Sequence, residues 1–97
     1  MIEVHQVGGE ADPLAFEVTV RDAGGESRHR VTVSKATCER LTAGLHPPEH
    51  CIEAAFRFLL DREPKESILN RFDITVIARY FPEFEQELPR YLELPSV

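Results

Sequence analysis

In Cys51-Ile52-Glu53-Ala54-Ala55-Phe56-Arg57-Phe58-Leu59-Leu60 the only polar side chains beyond the opening thiol are Glu53 and Arg57. With Asp61 they recur every four residues. On a helix they fall on one narrow stripe, and every other side is apolar. A surface helix carries a single apolar stripe, whereas a helix apolar nearly all round is buried. The segment therefore predicts a central helix against which the remaining elements pack. Pro47-Pro48 marks its start, because proline fits the first helical position, where no amide partner is lost. Glu49 follows in the first turn, where the helix dipole favours negative charge. Glu63-Pro64 marks its end, because the residue before a proline avoids the helical basin.

Upstream, Ser34 is placed to cap a helix from Lys35 to about Ala43 that stops at Gly44. Cys38, Leu41 and Leu45 form its expected inner stripe. Before it, Phe16, Val18 and Val20 alternate with Glu17, Thr19 and Arg21, and His29, Val31 and Val33 alternate with Arg30, Thr32 and Ser34. Period two is the mark of a half-buried strand. Between the runs, Asp22-Ala23-Gly24-Gly25-Glu26-Ser27 reads as a turn, since paired glycines reach positive φ without strain. An antiparallel hairpin follows. Phe16, Val18, Val20, Val31 and Val33 share its inner face, and Glu17, Thr19, Arg21, Arg30 and Thr32 its wet face. Glu17 or Asp22 can pair across the strands with Arg28 or Arg30. Ile2 to Val7 alternates at its start and is a candidate third strand. Gly8 to Pro13 is a loop by composition.

Downstream, prolines 64, 82 and 89 punctuate the chain. Pro64 can open a short helix, Lys65 to Arg71, with Ile68, Leu69 and Phe72 inward. Asp73 reads as the cap of a further helix, Ile74 to Tyr80. Ile74-Thr75-Val76-Ile77 is β-branched and also suits a strand, but Ile74, Ile77, Ala78 and Phe81 stack at helical spacing. Pro82 opens a last helix with Phe84, Leu88, Tyr91 and Leu92 on one face. Pro89 either kinks that helix or splits it. Leu94 to Val97 is a tail. The fold class is α+β: a hairpin, or three strands, followed by four to five short helices packed on one face around the central one.

The chain has 97 residues, 42% hydrophobic and 29% charged, which suits a single domain over residues 1–97. It contains no apolar run of spanning length and no signal-peptide pattern at Met1-Ile2-Glu3-Val4-His5. The expected location is the cytoplasm, with both cysteines reduced. The net charge of −6 is spread along the chain, so no third of it offers a basic footprint for phosphates.

Few residues carry candidate chemistry. Cys38, His46, His50 and Cys51 are the one soft-ligand cluster. Pro47-Pro48 separates the histidines, and the cysteines lack the spacing of a zinc knuckle. Small core fillers are the favoured reading, and neither a metal nor a cofactor is predicted. Cys51 paired with His50 or His29 as a nucleophile needs a lowered thiol pKa, whereas an apolar helix raises it. Glu83, Glu85 and Glu87 read as the charged first turn of a helix. Gly8-Gly9 and Gly24-Gly25 lack the rest of a phosphate loop. No enzyme is predicted.

Ile68 to Phe84 has the outline of a helix-turn-helix, with Arg79 as the one cation of its second helix. It suits a protein-facing surface better than a DNA reader. Five of the eight aromatic residues lie between Phe72 and Tyr91. Arg79, Tyr80, Phe84 and Tyr91, with Phe81, are of the types enriched at binding hot spots and are the candidate partner-binding residues. Against this, Phe81 and Phe84 can finish the core, with the tyrosines lying flat on it.

Phe56-Arg57-Phe58-Leu59-Leu60-Asp61-Arg62-Glu63-Pro64-Lys65-Glu66-Ser67-Ile68-Leu69, Phe72-Asp73-Ile74 and Val76-Ile77-Ala78-Arg79-Tyr80-Phe81-Pro82-Glu83-Phe84 resemble a small group of uncharacterised bacterial proteins. That resemblance covers about the second half of the chain and implies no activity. A second one runs from Arg28 to Glu63. Arg30-Val31-Thr32-Val33-Ser34, a helix with Glu39-Arg40-Leu41, a glycine turn and a helix with Ile52-Glu53-Ala54-Ala55 are similar to ribbon-helix-helix DNA-binding proteins. It implies a dimer whose paired strands enter the major groove, with Arg30, Thr32 and Ser34 outward. Three features of this chain depart from that pattern. Phe16 to Arg21 already partners the strand, Leu45-His46 follows the glycine in place of a small polar residue, and the chain is acidic. The expected function is a non-catalytic protein-binding or adaptor module, with a ribbon-helix-helix regulator as the alternative. Partner identity and oligomeric state stay open.

Overall fold

Alternating apolar residues make the first half of the chain a sheet, and the computed structural model, which describes residues 1–8 and 12–93, shows how it is closed. The remainder of the predicted loop, residues 9–11, and the tail, residues 94–97, lie outside the described residues. β2 (Leu14–Asp22) and β3 (Gly25–Val33) form the antiparallel hairpin. Phe16 pairs with Val31, Val18 with His29 and Leu14 with Val33. These side chains share one face and all are buried. Gly25 turns the chain at φ 121°, a conformation that glycine adopts without strain. β1 (Ile2–Gly8) pairs antiparallel with β2, so the candidate third strand forms. On the face expected to be wet, Thr19 is buried, with Glu3 and Arg28 opposite it on the neighbouring strands. The ion pairs that form are Arg21 with Glu3 and Glu26, and Arg28 with Glu26.

Ser34 caps α1 (Lys35–Thr42), its hydroxyl accepting from the Thr37 amide at 3.0 Å. The helix stops where Ala43 and Gly44 turn left-handed. That turn carries Leu45, expected inside, out to 78% exposure. α2 (Pro48–Leu60) is the central helix. Cys51, Ile52, Ala54, Ala55, Phe56, Phe58 and Leu59 are all buried, and Glu53 and Arg57 pair on the half-open seam at 2.8 Å. Helical bonding reaches Glu63, whose amide donates to the Leu59 carbonyl.

Beyond Pro64 the chain departs from the predicted helix. A single 3-10 turn spans Lys65–Ser67, and the chain then extends into β4 (Arg71–Asp73), parallel to β3. The sheet is therefore mixed, in the order β1-β2-β3-β4. A lone seven-residue helix is marginal, whereas the free edge of β3 offers unpaired backbone groups. The Arg30 amide donates to the Asn70 carbonyl at 2.7 Å, and the Thr32 hydroxyl to Asp73 at 2.7 Å. Extended backbone alternates its faces, so Ile68 and Phe72 are buried while Leu69, expected inward, is 48% exposed.

Asp73 does cap the next segment, accepting from the Thr75 amide at 3.1 Å. Burial pushes its carboxyl pKa up, but the bonds from Thr32 and Thr75 outweigh this and leave it lowered. The β-branched run Ile74–Val76 is a 3-10 turn leading into α3 (Ile77–Tyr80). α4 (Phe84–Leu92) runs through Pro89 as one helix and buries Phe84, Leu88 and Leu92.

Lys65, outside every predicted apolar stripe, is only 4% exposed. Its ammonium lies 2.8 Å from Asp22 and 2.6 Å from Glu66, tying the hairpin turn to the 3-10 turn. The Lys65 hydrogen bond, followed by the Gly24 amide, holds the Asp22 carboxyl below its ordinary range. A depressed carboxylate contributes stability above its unfolded pKa of about 4 and loses it as pH falls through the folded value. Lys65→Met should therefore melt below the wild type at pH 7, and the gap should narrow at pH 3. A gap equally wide at both pH values contradicts the pairing.

Candidate functional site

Leu69, placed outward by the extended run 68–73, faces a hollow of about 340 Å³ between the end of α2, the 65–72 segment and α3. Leu59, Ile68, Phe72, Val76, Ile77 and Phe81 supply its apolar lining, and Glu63 and Ser67 its polar part. Tyr80 stands at the rim, 68% exposed. Burial pushes the Glu63 carboxyl pKa up. A basic group arriving there would meet a carboxylate already short of solvent.

The wall carrying Leu69 is held by a histidine. His29 is 2% exposed and leans on Phe56, ring centroids 5.4 Å apart. One ring nitrogen bonds the Leu69 carbonyl and the other the Ser27 hydroxyl, each at 2.8 Å. The alternation His29, Val31, Val33 puts His29 inward, so an inward polar residue needed a partner across the fold.

Of the partner-binding residues expected from sequence, Tyr80 lines the hollow and Arg79 is exposed next to it in the chain. Phe84 is corrected to a core residue: it is 1% exposed and packs edge-on to Phe58 at 5.1 Å. As the first residue of α4, it starts the stripe continued by Leu88 and Leu92 and so faces α2. Tyr91 is half-buried and engaged. Its hydroxyl donates to Asp61 at 2.6 Å and accepts from Arg62 at 3.2 Å. Arg62 in turn bonds Glu83 and lies 3.7 Å above the centre of the Phe58 ring. Leu69, Glu63 and Ser67 line the hollow with Tyr80, and no local sequence pattern groups them with it. An extended reading of Ile68 to Phe72 would have exposed Leu69; the helical reading hid it.

The other candidate chemistry is distributed into the framework. Cys51 is wholly buried, and burial, then Cys38, pushes its thiol pKa up to about 12. A ring nitrogen of His50 meets the Leu92 carbonyl, tying the start of α2 to the end of α4. Among the described residues no three His, Cys, Asp or Glu side chains are grouped as metal ligands. Glu83, Glu85 and Glu87 go to three different arginines, Arg62, Arg40 and Arg90. Of the ribbon positions, Arg30 is exposed, Thr32 is bonded to Asp73, and Ser34 caps α1. At Arg30 to Thr32, β3 is paired on both sides, by β2 and by β4, so a second chain could pair with it there only by displacing one of them. No helix among the described residues is long and apolar enough to cross a membrane. No family model, no curated protein and no solved structure matches the chain.

His29→Phe keeps the ring contact but leaves the Leu69 carbonyl and the Ser27 hydroxyl without their partner. It should lower stability in urea denaturation by about 1–3 kcal/mol. An unchanged midpoint would remove His29 from its role in holding the wall. Glu63→Gln should act in the opposite direction. A carboxyl whose folded pKa is raised detracts from stability as pH rises through it, and detracts nothing below the unfolded value. The variant should melt above the wild type at pH 7 and level with it at pH 3.

Proposed function

We propose that this chain is a non-catalytic protein-binding module, and that its docking site is the hollow beneath Leu69 and Tyr80. The observation that carries the reading is the placement of these two large apolar side chains, both exposed, on one apolar hollow with a carboxylate in its lining. Exposed apolar groups gathered on a concavity mark interaction sites. The partner this surface fits is a short protein segment with one or two apolar anchors and a basic residue that reaches Glu63. The acidic net charge of the chain favours approach by a basic segment. Arg79 is exposed and next in the chain to Tyr80; in the proposed complex it is a peripheral charge, which affects association rate more than affinity. The thiol pKa of Cys51 and the separate pairing of the three glutamates support a non-catalytic role.

Selection from a random displayed-peptide library tests this directly. Selected peptides should share an apolar anchor followed or preceded by Lys or Arg. Their affinity should drop at least about tenfold, or 1.4 kcal/mol, for Leu69→Ser/Tyr80→Ala. Glu63→Gln should relax the requirement for the basic residue. Peptides that bind the double variant as tightly as the wild type would place the binding surface elsewhere.

A further inference from the structure

β1 ends the sheet, and one of its edges is unpaired among the described residues. Met1 and Arg21 exchange hydrogen bonds, Met1 N to Arg21 O at 2.7 Å and Arg21 N to Met1 O at 2.8 Å. In an antiparallel pair, such bonded pairs alternate with non-bonded ones. Glu3 and His5 therefore direct their backbone groups to β2, while Ile2, Val4 and Gln6 direct theirs to the open edge. Ile2 to Gln6 contains no lysine and no proline, two of the devices that keep such an edge from pairing, and the register shift of β1 lies beyond it, between Gln6 and Gly8. Ile2 and Val4, which face the helices, are only partly buried. Beside them lies a hollow of about 470 Å³ lined by Met1, Ile2, Arg57 and Leu60.

We propose that two copies of this chain join along β1, antiparallel, with Val4 on the two-fold axis. The register follows from two constraints. Helix-facing residues must meet helix-facing residues, and each bonded pair must use the groups of Ile2, Val4 and Gln6. Val4 then pairs with Val4 of the second copy and Ile2 with its Gln6, giving about six backbone hydrogen bonds. On the outer face, Glu3 stands opposite His5 of the second copy, twice, so a carboxylate meets an imidazole that can donate a hydrogen bond to it. A slip of two residues one way sets Glu3 against Glu3, and the other way His5 against His5. Opposed carboxylates are unfavourable, and either slip reduces the three bonded pairs among Ile2, Val4 and Gln6 to two, so the centred register is the one selected. The helix-facing seam covers Val4 and Ile2 and brings Gln6 of the second copy to the Arg57–Leu60 hollow. The joined sheet keeps each Leu69–Tyr80 hollow at its outer end, beyond β4. This assembly goes beyond the docking reading and does not depend on it.

Sedimentation and cross-linking of the full chain test the proposal. The wild type should sediment as a dimer at micromolar concentration, and Val4→Pro as a monomer. That change removes a donor aimed away from β2 and leaves the β1–β2 ladder intact. If Val4→Pro fails to fold, the register is read from cysteine variants. Residues 3 and 5 of the two copies form a non-bonded pair with Cα atoms about 4.5 Å apart, within disulfide range. Identical positions lie about 8 Å apart, outside that range. A mixture of Glu3→Cys and His5→Cys proteins should therefore oxidise to a mixed dimer, whereas neither should cross-link alone. The native Cys38 and Cys51 are buried and do not interfere. A monomeric wild type, a dimer that survives Val4→Pro, or either cysteine variant cross-linking alone as readily as the mixture would overturn the proposal.

Discussion

Phe56 and Phe58 stand two residues apart on α2, so their side chains leave the helix about 200° apart. Phe56 meets His29 and Phe72 on the sheet side, at 5.4 and 6.0 Å. Phe58 meets Phe81, Phe84 and Tyr91 on the other, at 5.9, 5.1 and 5.8 Å. One helix thus joins two layers that have little other reason to meet. The sheet needs one apolar face covered. α4, amphipathic along its whole length, needs something to lie on. Both needs are met because α2 is apolar on nearly every side, and its one polar seam is closed by Glu53 and Arg57.

The same double-sidedness shapes the last third of the chain. After α2 the backbone must return to the sheet before α3 and α4 can pack on the far side of the helix. It does so by filling the open edge of β3. The return is secured by polar groups at both ends: Lys65 reaches Asp22, and Thr32 reaches Asp73. His29 bonds the Leu69 carbonyl between them. Because this segment is extended and bent over the end of α2, it leaves a concavity rather than a flat face. The Leu69–Tyr80 hollow is thus a consequence of how β4 is reached.

Groups that would attract a chemical reading are absorbed into the framework. Tyr91, Asp61 and Arg62 bind α4 to the end of α2, and His50 binds its beginning. Cys38 and Cys51 fill space between α1 and α2. No buried side-chain nitrogen or oxygen among the described residues lacks a partner. What faces outward is an apolar hollow at one end of the sheet and an unpaired strand at the other.

The hairpin, the buried central helix, the caps at Ser34 and Asp73 and the apolar stripe of α4 are legible in the residues alone. Each of these is written in a local period or in a side chain that satisfies a neighbouring amide. Tertiary structure decided the rest. Ile68 to Phe72 is short, and its apolar residues fit a helix or a strand equally well; the unfilled hydrogen bonds of β3, forty residues earlier in the chain, chose the strand. That choice turned Leu69 outward, and the packing of α4 on α2 turned Phe84 inward. The candidate site was therefore half visible, since Tyr80 is exposed wherever α3 lies. Leu69 and Glu63 became its neighbours only through contacts between distant segments, and no local pattern encodes those.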